Sequence, residues 1–115
     1  MGKRIYIICP VTGVREDEDT KKHVANLEKQ GHTVFYPPRD APQECPTGEK
    51  IVKAEWDFLV NCDQVDVFWD TNSKGSHFDL GMAFAFGLPI HFVKLYHPDK
   101  DGKTYLKAIS ILRRT

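Results

Sequence analysis

The sequence predicts an α/β fold: a single domain over residues 1–115 whose parallel sheet of four to five strands carries helices on both faces. Three observations point to it. The chain has 115 residues, 41% of them hydrophobic and 28% charged, enough for one core that folds without metal or disulfide staples and too little for two. Its β-prone segments are short, mostly apolar runs, the pattern of strands buried on both faces of a sheet. Between them lie stretches with helical spacing, and strand–helix–strand units joined by right-handed crossovers build a Rossmann-like or flavodoxin-like sheet.

Ile5-Tyr6-Ile7-Ile8, ended by Pro10 and Gly13, is the first strand. The acidic run from Glu16 to Asp19 leads into a helix over Thr20–Gln30 closed by Gly31, and with only Val24, Ala25 and Leu27 apolar it buries a narrow stripe. Thr33–Tyr36 is a second strand stopped by Pro37-Pro38, and the stretch through Pro46 reads as a polar loop. A second helix starts near Thr47, with Glu49 in its first turn, and its spacing runs through Ile51, Ala54, Glu55, Phe58, Leu59 and Cys62, with Asp57 beside the buried stripe. Val65, Val67 and Trp69 mark a third strand, and the polar loop Asp70–Gly75 follows it. The next helix, from about His77 to Phe86, is apolar nearly all round apart from Asp79, so it is expected to be sandwiched in the core and capped by Gly87. Pro89–Val93 is a fourth strand, and Tyr105, Leu106, Ile109 and Leu112 keep helical spacing in a C-terminal helix.

Sixteen basic side chains against sixteen acidic ones leave a net charge of zero. No broad electrostatic attraction to a nucleic acid polymer or an acidic membrane is expected, although a small local anion pocket is compatible with that balance. Cys9, Cys45 and Cys62 form no C-x-x-C pair and read as reduced thiols. The four apolar residues after Met1-Gly2-Lys3-Arg4 are too few for a signal segment or a membrane span, so the chain is read as intracellular and cytoplasmic. The five histidines lack metal-ligand spacing and no G-x-G-x-x-G occurs. Gly102-Lys103-Thr104 completes no phosphate loop, because His97 stands at its first glycine position. Neither a metal nor a cofactor is expected.

Ligands of such sheets bind beyond the carboxyl ends of the strands, which here means the loops Cys9–Arg15, Pro37–Pro46 and Asp70–Ser76. In the third, Ser73-Lys74-Gly75-Ser76-His77 brings two hydroxyls, a glycine and an imidazole to the mouth of an apolar helix, whose free N–H groups and positive dipole end suit a phosphate. Taken alone, the same residues read first as a plain capping box, with Ser76 at the N-cap and Asp79 at N3. Asp79 is the one charged residue of that helix. Near a helix N-terminus its carboxylate is expected to stay ionised, which suits a nucleophile and not a general acid. Asp57, among apolar neighbours, is open to desolvation, and two carboxyls in divergent environments are the arrangement of retaining glycosyl transfer. The alternative for Asp57 is a half-exposed helix carboxylate with no role, and for Tyr6 a core tyrosine.

These residues resemble the nucleoside 2-deoxyribosyltransferase superfamily, which includes the 2-deoxynucleoside 5-monophosphate N-glycosidases. Ile5-Tyr6-Ile7-Ile8-Cys9-Pro10 is similar to the family's first strand and base-contacting loop, and Gly31–Pro37 to its turn into the second strand. Ser73-Lys74-Gly75-Ser76-His77-Phe78-Asp79-Leu80-Gly81-Met82-Ala83 looks like the signature S-x-G-[ST]-x-x-E-[IL]-G-x-A, with aspartate where the family carries the longer glutamate. The resemblance implies a nucleophile at Asp79, Tyr6 as the tyrosine that orients it, and Asp57 as the acid near the leaving base. It implies a 5-phosphate held by Ser73 and Ser76 with Gly75 and His77 beside them, and base contacts from Cys9, Pro10 and Gly13. A small-molecule nucleoside or nucleotide substrate follows, as does a homodimer or higher homo-oligomer whose second subunit closes the site. The rival reading is a catalytically inactive nucleotide-binding module of the same fold, in which Asp79 is a helix cap.

Overall fold

In the computed structural model, which describes residues 2–10, 18–96 and 104–112, the chain alternates as the sequence predicts. The order is β1 (Arg4–Ile8), α1 (Glu18–Lys29), β2 (Thr33–Phe35), α2 (Pro37–Asp40), α3 (Glu49–Leu59), β3 (Gln64–Trp69), α4 (Lys74–Ala85), β4 (Ile90–Leu95) and α5 (Tyr105–Leu112). The four strands form one sheet in the order β2-β1-β3-β4, every neighbouring pair parallel, with Tyr6 of β1 opposite both Phe35 of β2 and Val65 of β3. Because successive strand residues point to opposite faces, β1 divides its side chains between two apolar layers. Tyr6 and Ile8 join Val65, Val67 and Trp69 on one face, against Leu59 of α3, Leu80 and Ala83 of α4 and Ile109 of α5. Ile5 and Ile7 join Val34 and Phe68 on the other, against Val24 and Leu27 of α1.

This order fixes where a ligand can enter. The chain leaves β1 through α1 on one face and reaches β3 through α3 on the other, so the connections diverge at the carboxyl ends of β1 and β3 and open a crevice there.

Three expectations are corrected. The stretch after β2 is not all loop, because Pro37-Pro38 begin the single turn α2: proline is pre-set for the first helical position even as it ends a strand. Helix α4 starts at Lys74, earlier than expected, and is not sandwiched. It buries Ser76, Asp79, Leu80 and Ala83, one helical stripe, while Phe78 is half exposed and Phe84 also faces out. Its end is as expected, with Gly87 at φ 70° and the Leu88 N–H donating back to Ala83 O at 3.1 Å. Finally, β4 continues to Leu95 as an edge strand with Phe92, Val93 and Leu95 exposed. No helix among the described residues is long and apolar enough to cross a membrane.

Candidate active site

At the crevice lies an open cleft of about 510 Å³, within the range of small-molecule sites. All three loops singled out by the sequence reach it: Cys9 after β1, Pro37, Ala41 and Gln43 after β2, and Asn72 to Gly75 after β3. Ile51 and Glu55 of α3 and Asp79 of α4 complete its walls.

Asp79 is the sixth residue of α4 and only 6% exposed, yet it borders the cleft. The Tyr6 hydroxyl donates to its Oδ2 at 3.0 Å. That hydroxyl is rigidly held, because the Tyr6 ring is fully buried and stacked on Phe35 at 5.2 Å and 7°. Glu55, equally buried, interacts with both Asp79 and Tyr6, and its Oε2 has no hydrogen-bond partner among the described residues.

Burial, first, and the adjacent Glu55 carboxyl, second, raise the Asp79 carboxyl from the ordinary 3.8 to about 9, with the Tyr6 hydrogen bond opposing them. Burial and the two carboxyls likewise push the Tyr6 hydroxyl far above its usual range. Asp79 therefore keeps its proton at neutral pH. The expectation that the helix end keeps Asp79 ionised is thereby corrected. The dipole acts within the first turn, and Asp79 lies beyond it.

The start of α4 also differs from the expected capping box. Ser73 is the N-cap, its Oγ accepting the Ser76 N–H at 3.2 Å, and Ser76 is buried at the third helical position. The Ser76 hydroxyl has no partner among the described residues and does not line the cleft; Ser73, Lys74 and Gly75 do. His77 turns away, its ring 4.7 Å from that of Trp69 and its Nδ1 donating to Ser73 O at 2.8 Å.

Of the residues singled out from the sequence, Asp79, Tyr6, Cys9, Ser73 and Gly75 therefore meet at or directly behind the cleft. Pro10, Ser76, His77 and Asp57 do not line it, and Gly13 lies outside the described residues. Asp57 is separated for a geometric reason: two helical residues turn it about 200° from Glu55. It is half exposed, with its two oxygens 2.7 and 2.8 Å from Lys53 Nζ one turn away. The acidic partner of Asp79 is Glu55, which the sequence reading held only as one position in a buried stripe. Gln43, Ile51, Asn72 and Lys74 join the site as well.

The family described as "Domain of unknown function (DUF4406)" matches residues 3–92. No curated protein matches the sequence significantly. Among solved structures, a CMP N-glycosidase of Clostridium botulinum, BcmB, is 20% identical with a TM-score of 0.65, over 95% of this chain and 81% of that one. A 2-deoxyribosyltransferase of the psychrotolerant Bacillus psychrosaccharolyticus is 22% identical with a TM-score of 0.58, over 90% and 78%. A conserved protein of Enterococcus faecalis V583 is 18% identical with a TM-score of 0.61, over 99% and 76%. The fold is the one that these N-glycosidase and deoxyribosyltransferase structures share.

Proposed function

The chain belongs to the DUF4406 family, and from its site we propose an enzyme that cleaves or transfers the N-glycosidic bond of a 2-deoxynucleoside or deoxynucleoside monophosphate through Asp79. One observation carries the reading: two buried carboxyls border a single cleft, and a locked tyrosine hydroxyl bonds one of them at 3.0 Å.

In the reactive state the proton that Asp79 holds has passed to Glu55, and Asp79 is ionised. Tyr6 binds Oδ2, and the other oxygen forms a bond to the anomeric carbon. The carbon–nitrogen bond breaks as that bond forms, its electron pair passes to the base, and Glu55 gives the base its proton. Glu55, now ionised, takes a proton from water, whose oxygen displaces Asp79 from the sugar. A second base in place of water gives transfer. Two displacements at one carbon retain its configuration, and neither needs a metal or cofactor.

Ser73, Lys74 and Gly75, at the cleft where the free N–H groups of α4 begin, suit a 5-phosphate, which favours monophosphate hydrolysis over transfer. A homo-oligomer fits the exposed apolar side chains Val52 and Trp56 of α3, Val60 just past its end and Phe78 of α4, on or beside the two helices that carry Glu55 and Asp79.

The test is release of free base, followed by chromatography, from each common deoxynucleoside and its monophosphate. The parent releases base and Asp79→Ala does not; no release from any substrate, or equal release by the variant, contradicts the reading. The burial of Asp79 and its retained proton favour one alternative, a nucleotide-binding module without turnover, which saturable binding with no base release would select.

A further inference from the structure

Gln43 lies between α2 and α3, on the rim of the cleft that Asp79 and Glu55 border. Its side-chain amide cannot turn freely. Nε2 donates to Pro37 O at 2.9 Å and to Ala41 O at 3.2 Å. A primary amide has two N–H hydrogens, and both are engaged by main-chain carbonyls. Flipping the amide would set its oxygen against those two carbonyl oxygens, so Oε1 is the group left for a ligand, and it only accepts.

The other surfaces that Pro37, Ala41 and Ile51 give to this part of the cleft are apolar and cannot tell an amino group from a keto group. Asn72 is the other amide on the cleft, and among the described residues no side-chain hydrogen bond fixes its orientation, so it can donate or accept. The groups at the start of α4 suit a phosphate, and Gln43 lines the same cleft as Cys9, to which the sequence resemblance gives base contacts.

We propose that Gln43 is a specificity determinant: its pinned Oε1 accepts from the exocyclic amino group of the leaving base and disfavours the keto counterpart. This rests on the N-glycosidase reading of the cleft. A keto oxygen brought to the same point meets a lone pair instead of a donor, and the amide cannot rotate to relieve it without giving up both main-chain bonds.

The experiment compares kcat/KM for base release from deoxycytidine and deoxyuridine monophosphates, and from the adenine and hypoxanthine pair, in the parent and in Gln43→Met. The methionine keeps length and bulk at an exposed loop position and removes both amide functions. In parallel, calorimetry measures binding of free cytosine and free uracil to both proteins, independently of turnover. The parent prefers the amino member of each pair by about tenfold, the scale of one hydrogen bond made or refused. Gln43→Met brings that ratio to within about threefold with its melting temperature nearly unchanged. A parent that prefers keto bases or does not discriminate, or a preference that survives Gln43→Met, overturns the inference. Amino-selective binding that depends on Gln43, with no base released from any nucleotide, overturns the glycosidase reading and leaves the Gln43 assignment standing.

Discussion

Replacing Asp79 with asparagine removes the carboxyl that burial penalises and keeps an oxygen for the Tyr6 hydroxyl to bond. In the folded chain this carboxyl titrates at about 9, against an ordinary 3.8. Between those values the native state holds a proton that the unfolded state has released, so stability is full at low pH and is lost as pH rises through the window. At pH 7, about three pH units above the ordinary value, the difference corresponds to roughly 4 kcal/mol. The asparagine amide is itself a buried polar group that costs free energy, so the variant recovers about half of this, near 2 kcal/mol. For a chain of this size that raises Tm by roughly 8 °C. Thermal melts of the parent and Asp79→Asn between pH 4 and pH 8.5 measure it. The variant is the more stable at pH 7, and its advantage shrinks toward zero at pH 4. Parallel curves across the range, or a variant less stable throughout, would refute a buried, protonated Asp79.

Other perturbations separate the roles of the site residues. Tyr6→Phe leaves Asp79 in place but frees its rotamer, so kcat for base release falls by about 100-fold with KM little moved, as steady-state kinetics will read. Glu55→Gln lowers kcat by a similar factor of about 100. Asp57→Asn stays within about twofold of the parent in the same assay, because it breaks only an exposed pair with Lys53. The parent's kcat/KM falls in alkali, above about pH 9, as the Asp79 proton is lost, and Glu55→Gln, which leaves no acid to relay that proton to the base, abolishes the fall. Ser73→Ala lowers stability by about 1 kcal/mol in denaturant titrations through the lost N-cap.

The strands and their parallel arrangement were legible because short continuous runs such as Ile5–Ile8, alternating with helical spacing, have few other uses in a chain of this length. The start of α4 was harder to read. Ser73 and Ser76 stand one turn apart and either can cap a helix; choosing the first moves Asp79 from N3 to the sixth position, from an ionised end to a buried pair. Glu55 carried a readable signal, since a carboxylate spaced with Ile51 and Leu59 at four-residue intervals must point into the protein, where an acid rarely lies without a reason. Asp57, two residues on, has the outward phase. The exposed aromatic side chains of α4 show why an apolar helix need not be central: its pattern records what is greasy and says nothing of what covers it. The constraint on Gln43 could not be read at all, because it depends on two main-chain carbonyls that the single turn α2 brings together.

The covalent intermediate is the most direct test. Protein quenched in acid during turnover of a deoxynucleoside monophosphate, then weighed intact and mapped by peptide mass spectrometry, should carry one deoxyribosyl 5-phosphate on the peptide that contains Asp79. Base released with no sugar on the protein, or a sugar attached at Glu55 instead, would contradict attack by Asp79.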